Sequence, residues 1–345
     1  MFKHEALFYE PAGGDNRLQC FLCPHRCVIA PGRLGLCGAR QNVDGKLYSL
    51  IYGRVSSVCA DPIEKKPLYH FYPGSAAYSI GSLGCNMRCG DCQNWQIAHA
   101  VADKSAERTE TLSPEQLVNN AKKSGSQGIA WTYNEPVIWM EYAIDGAKLA
   151  KAEGLYTVFV TNGYVEAGAL DAIGPYLDAF RVDFKGRFDG SRFYKEVAKI
   201  KDPGPILDAT IRAKNKWDMH VEVITNVVPG YNDSLEELKE IAGTIKENLG
   251  ADTPWHVTRF HPYLDLSHLP STPVEKLEEA WDIGRNAGLN YVYIGNVADH
   301  PGENTYCANC AQLLIERLGY YVNIVGLEDK KCRFCDHPFP MVGSI

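Results

Sequence analysis

Between residues 76 and 300, short apolar runs rich in β-branched and aromatic residues alternate with longer stretches whose apolar positions recur every three or four residues. The first pattern predicts buried strands and the second amphipathic helices. Strands are expected at Ala77–Leu83, Ile129–Thr132, Tyr156–Thr161, Ala179–Phe184, His220–Val227, Trp255–Phe260 and Tyr291–Ile294. Among the helical stretches, Ser113-Pro114-Glu115-Gln116 reads as a helix start. Ser113 can cap, Pro114 suits the first helical position, and Gln116 completes a capping box. Asp233–Asn248 sets Leu235, Leu238, Ile241 and Ile245 on one stripe. Strands alternating with helices imply a parallel sheet. The expected fold class is therefore α/β, a partial or full (β/α) barrel of about six to seven units.

In such folds chemistry collects at the carboxyl ends of the strands. Each predicted strand here runs into unusual polar residues: Gly84-Cys85-Asn86, Tyr133-Asn134-Glu135-Pro136, Asn162-Gly163, Asp183 with Lys185, Asn226 with Pro229-Gly230-Tyr231-Asn232, His261-Pro262-Tyr263, and Gly295-Asn296. One such ending would be a turn. Seven in register predict a cavity lined from one end of the sheet. The flanks read differently. Residues 1–75 form a Cys-rich region with short strand-like pieces such as Lys46–Val58, residues 76–300 the barrel, and residues 301–345 a Cys-rich, zinc-ribbon-like end.

The chain has 345 residues, enough for a sizeable core. It contains no run of about 18 apolar residues, so no membrane span is expected. The opening MFKHEALFYEPAGGD lacks the apolar stretch and cleavage site of a secretory signal, and a cytoplasmic location is expected. A net charge of −7 argues against a broad nucleic-acid-binding face. The 12 cysteines fall into sets: Cys20, Cys23, Cys27 and Cys37; then Cys85, Cys89 and Cys92; then Cys307, Cys310, Cys332 and Cys335. In a large cytosolic chain such grouping points to metal or redox use rather than disulfides. Cys59 stands alone and reads as a buried core thiol.

Cys85-x3-Cys89-x2-Cys92 is a set of three, whereas structural zinc and ordinary [4Fe-4S] clusters each take four ligands. Three thiolates on one loop would hold a cubane by three irons and leave the fourth free to chelate an amino acid. The bland alternative is a zinc knuckle completed by His99. Cys307-x2-Cys310 followed by Cys332-x2-Cys335 is a four-ligand ribbon pattern, expected to hold structural zinc, with a rubredoxin-type iron as rival. Cys20-x2-Cys23-x3-Cys27-x9-Cys37 suits zinc or a second iron–sulfur cluster equally, and a disulfide pair is a third option.

The segments CFLCPHRCVIAPGRLGLCGAR, GCNMRCGDCQNW, TYNEPVIW, VTNGY, VDFKGRFDGSRFY, VVPGYND and GENTYCANCAQLLIERLGYYV together resemble the radical S-adenosylmethionine (SAM) superfamily. The likeness is to its pyruvate formate-lyase activating enzyme-like branch, and within it to the AmmeMemoRadiSam system radical SAM protein group. The resemblance implies a [4Fe-4S] cluster on Cys85, Cys89 and Cys92, reductive cleavage of SAM to a 5′-deoxyadenosyl radical, and hydrogen abstraction from a protein, peptide or small molecule. It implies a flavodoxin- or ferredoxin-like electron donor. It assigns the SAM amino group to Asn134 and Glu135, the SAM carboxylate to Lys185 beside Asp183, and pocket positions to Asn226, the Val228–Asn232 run and His261. Two departures stand out. Val160 occupies a position where activating enzymes carry an Asp, and Asp91 one where an aromatic residue usually meets the adenine, for which Trp95 offers a substitute. The alternative from a different class is a non-enzymatic zinc or iron–sulfur scaffold binding RNA or a protein partner.

Overall fold

The computed structural model describes residues 3–105, 107 and 109–343. Its centre is one eight-stranded sheet: β1 (Ser57–Pro62), β2 (Ala76–Gly81), β3 (Gly128–Trp131), β4 (Tyr156–Thr161), β5 (Ala179–Asp183), β6 (His220–Val227), β7 (Trp255–Arg259) and β8 (Val292–Gly295). The strands lie side by side in chain order. β2 to β8 pair parallel, and β1 joins β2 antiparallel, with Ser57 opposite Gly81. Among the described residues no ladder links β8 back to β1, so the sheet is open. Between the parallel strands run α1 (Pro114–Lys123), α2 (Met140–Ala152), α3 (Ala167–Ile173), α4 (Gly204–Trp217), α5 (Leu235–Leu249) and α6 (Val274–Asn286). Among the described residues no helix is long and apolar enough to cross a membrane.

Local chemistry accounts for the element ends. Ser113 caps α1 in a full capping box: its Oγ accepts from Gln116 N at 3.2 Å, and its own N–H donates to Gln116 Oε1 at 2.8 Å. α5 begins two residues later than expected because Ser234 is the cap, its Oγ accepting from Glu237 N. β2 stops at Gly81 rather than Leu83, since the Ser82 N–H leaves the ladder and donates to Asn134 Oδ1 at 2.9 Å. Cys59 does not sit in the core. It is exposed on the edge strand β1, as are its neighbours Val58 and Ala60.

Strand alternation gives the two faces of the sheet different work. Phe159, Val182, Val223 and Val257 join the helix residues Leu117, Leu170 and Ile241 in the main core. On the other face, Ala77, Ala130, Val158 and Ala179 are small, and Ile63, Leu68 and Phe71 of the β1–β2 connector pack against them. Two residues further along the same strands, the same face lines a cavity through Thr132, Val160 and Arg181. The connector thus closes the amino ends of the strands and leaves the carboxyl ends open. Small antiparallel sheets flank this body. On the N-terminal side they are built from His4–Glu5, Lys46–Ser49 and Arg40–Val43, and from Tyr9–Pro11, Leu18–Cys20 and Val28–Ile29. On the C-terminal side Thr305–Tyr306, Leu313–Leu318 and Tyr321–Ile324 form another.

Candidate functional site

A cavity of about 850 Å3 opens at the carboxyl ends of β2 to β8. Cys85, Cys89 and Cys92 line it, as do Asn134, Glu135, Asp183, Lys185 and Asn226. The cysteine loop is held by contacts on both sides. Gly84 has φ +90°, a conformation that side chains resist, and a Cβ there would lie 2.4 Å from the Cys37 carbonyl oxygen. Asn134 fixes the loop from β3: its Oδ1 takes the Ser82 N–H and its Nδ2 donates to the Gly84 carbonyl at 2.8 Å. Asn86 donates to the Tyr164 carbonyl at 2.8 Å and accepts from Asn162 Nδ2 at 2.8 Å.

Glu135 is almost fully buried, and its carboxylate accepts from Thr161 Oγ1 at 2.6 Å, Asn162 N at 2.8 Å and Val137 N at 3.0 Å. Burial pushes its pKa up to about 7, against the pull of those three donors. It therefore organises the ends of β3 and β4 and, through Asn162, the cysteine loop. Asn134 and Glu135 meet the cavity wall, but the Asn134 amide already has both ends bonded to the backbone.

Asp183 pairs with Lys185 Nζ at 2.8 Å and with Arg181 on the other side. Burial alone would raise Asp183, yet the two cations hold it below the usual carboxylate range. Burial would likewise strip the proton from Lys185, and Asp183, with Cys89 and Asp91, holds it on. A fixed cation thus stands among the cysteines and acids, ready for a carboxylate. Asn232, fully buried, braces the neighbourhood: its Oδ1 takes the Val228 N–H at 2.6 Å, and its Nδ2 reaches the Lys185 and Asn226 carbonyls at 2.8 and 2.9 Å.

His261 is not part of this assembly. β7 ends at Arg259 and the chain turns outward, leaving His261 exposed with its Nδ1 3.4 Å from Ser271 Oγ. The histidine that lines the cavity is His256, whose Nε2 bonds Glu222 Oε2 at 2.6 Å. Trp95 is 39% exposed and outside the lining, while Asp91 is inside it. Val160 faces the cavity.

Sequence reading missed two groups of lining residues. Arg181 and His256 sit inside strands, where a charged or polar residue in AFRVDF and WHVTRF was the available signal. Glu64, Lys66, Tyr69, Glu303 and Tyr320 come from the connector and from turns of the C-terminal segment, and no local pattern reveals that they reach the cavity. Glu64 Oε2 and Glu303 Oε2 are buried without a hydrogen-bond partner. Burial raises both carboxyls, that of Glu303 to about 7.

The cysteine sets differ in spacing. Cys307, Cys310, Cys332 and Cys335 have all four Sγ atoms within 4.8 Å of one another, with the Cys307–Cys335 and Cys310–Cys332 pairs at 3.6 Å. That suits one tetrahedral ion with metal–sulfur bonds of about 2.3 Å. No other such group of three or more Cys, His, Asp or Glu occurs among the described residues. Cys85, Cys89 and Cys92 are therefore not drawn to zinc spacing, and His99 does not complete them. A cubane takes each thiolate on a different corner iron and does not require that close approach.

An open, mostly parallel sheet with a three-cysteine loop after its first parallel strand belongs to a known class, and the chain is a member of it: the radical SAM superfamily, whose family model matches residues 79–245. It is an enzyme of the radical SAM type, and the scaffold alternative falls away. Its relatives include an uncharacterized protein of Methanocaldococcus jannaschii, 42% identical over 340 residues, which are 98% of this chain and 99% of the relative. The pyruvate formate-lyase-activating enzyme of Clostridium pasteurianum is 24% identical over 188 residues, 53% of this chain and 77% of that one. A radical SAM methyltransferase from Sphaerobacter thermophilus shares the fold, with a TM-score of 0.50 and 17% identity over 70% of this chain and 71% of that one.

Proposed function

We propose that this chain binds a [4Fe-4S] cluster on Cys85, Cys89 and Cys92, binds SAM beside it, and uses the pair to take a hydrogen atom from an unactivated C–H bond. The observation that carries the reading is three thiols on one backbone-locked loop that line the same cavity as the Asp183–Lys185 pair. Burial pushes the Cys85 thiol up to about 12, so an ionised sulfur there calls for a cation to neutralise it. When bound, such a cluster supplies the electron that cleaves SAM to methionine and a 5′-deoxyadenosyl radical.

The residues of the chain then divide the remaining work. Lys185, kept protonated by Asp183, receives the SAM carboxylate. Glu135 stands where the SAM amino group would come, and Asn226 with Thr258 borders the far side. Asn134 acts through the loop it clamps. Glu64, Lys66, Tyr69, Glu303 and Tyr320 form the wall contributed from outside the parallel strands, and we assign them to the substrate, a protein, peptide or small molecule. A one-electron donor of flavodoxin or ferredoxin type would serve it. The four C-terminal cysteines hold zinc.

The test is anaerobic reconstitution with iron and sulfide, followed by dithionite and SAM. The expected product is 5′-deoxyadenosine, absent when Cys85, Cys89 and Cys92 are all replaced by Ala. An intact cluster that yields none would defeat the reading.

A further inference from the structure

The N-terminal cysteines are not used by the function just described. Cys20, Cys23, Cys27 and Cys37 come from two strand ends and two turns, yet all four line one small enclosed cavity of about 20 Å3 with Leu22, Ile29 and Arg40. We propose that this is a second cluster site, holding a [4Fe-4S] cubane on four thiolates rather than zinc.

Spacing carries the argument. At the C-terminal ribbon four sulfurs close to within 4.8 Å, as a tetrahedral ion requires. At the N-terminal set no three sulfurs approach one another that closely. In this respect it resembles the Cys85 triplet, not the ribbon. Four converging thiols held apart around an apolar pocket match a cubane, whose corners separate its ligands.

The lining supports the same occupant. Arg40, only 1% exposed, pairs with Glu141 at 2.5 Å and donates to the Leu7 carbonyl at 2.8 Å, but its Nε is buried with no partner. A bridging sulfide or thiolate in the cavity would supply the missing acceptor, and the guanidinium would offset the negative charge of a four-thiolate cluster.

The site also adjoins the central loop. His25 Nε2 lies 2.6 Å from the Asn86 carbonyl, Arg88 Nη2 donates to the Leu36 carbonyl at 2.7 Å, and Asn86 itself lines the N-terminal cavity. A cluster here would neighbour the Cys85 loop across a single layer of side chains.

The experiment is a metal and sulfide count on the anaerobically reconstituted full chain, repeated on a variant carrying Cys85→Ala, Cys89→Ala and Cys92→Ala, and on Cys27→Ser. The proposal expects about eight irons and one zinc in the parent. It expects about four irons, with inorganic sulfide and a dithionite-reducible paramagnetic signal, in the triple variant. Cys27→Ser should lose the second signal and keep the first. A parent with about four irons and two zincs overturns it, as does a folded triple variant without iron. These counts do not depend on SAM, so failure of SAM cleavage would leave them standing.

Discussion

At the residue scale, the informative side chains are those that hold others in place. Asn134 has the sequence position of a SAM contact, but its amide joins Ser82 N to the Gly84 carbonyl, one residue before Cys85. Replacing it with Ala leaves a buried donor and a buried acceptor unpaired, at a cost of about 1–3 kcal/mol. Asn134→Ala should therefore lower the unfolding midpoint and also reduce iron retained per chain, because the loop that presents Cys85 loses its brace. Normal iron content in a folded variant, with only the SAM KM raised, would show instead that the residue acts on SAM alone.

Elements were legible where a local rule dictated them. Periodicity placed β4 and β6 to the residue, and the capping box placed α1, since both depend on nearest neighbours in sequence. β1 was not recognised as a member of the main sheet, because its pairing with β2 runs antiparallel across the connector and its outer residues carry no alternation. The strand-end residues that line the cavity were mostly visible; their partners were not. Asp183 and Lys185 could be named, whereas the bracing of their neighbourhood by Asn232, 47 residues beyond Lys185, needs the folded chain. Two substitutions separate an element from the site it serves. Ser113→Ala should cost about 1 kcal/mol of stability and leave SAM cleavage unchanged, since α1 is remote from the cavity lining. Asn232→Ala should cost about 1–3 kcal/mol by orphaning the Val228 N–H and two carbonyls. It should also weaken SAM binding several-fold by freeing Lys185, as read from SAM titration. Equal SAM affinity in the two variants would count against the brace.

At the scale of the whole molecule, one buried contact set ties the connector and the C-terminal segment to the sheet. Arg317 donates to the Tyr69 carbonyl at 2.9 Å and lies 4.1 Å from the Tyr69 ring centroid. His70 bonds the Pro340 carbonyl through Nδ1 at 3.0 Å and the Tyr293 hydroxyl through Nε2 at 2.6 Å. Burial pushes the His70 pKa down to about 3, although Glu222 nearby pulls the other way. The sign follows directly. Below the unfolded value of about 6.5 the unfolded chain takes up a proton that the folded chain refuses. The stability tied to neutral His70 is therefore fully present above about pH 6.5 and falls by about 1.4 kcal/mol per unit as the pH drops towards 3. His256 is lowered by the same burial and acts in the same direction, whereas the share due to Glu222 is lost only below its ordinary range near 4.5. Denaturant unfolding of the parent should thus show stability declining from pH 6.5 to pH 5. In His70→Gln, which keeps hydrogen-bonding capacity but cannot titrate, the decline over that interval should be smaller by about 2 kcal/mol. Parallel profiles for the two proteins would mean that the acid sensitivity comes from elsewhere, and that His70 joins the three segments without making their union depend on pH.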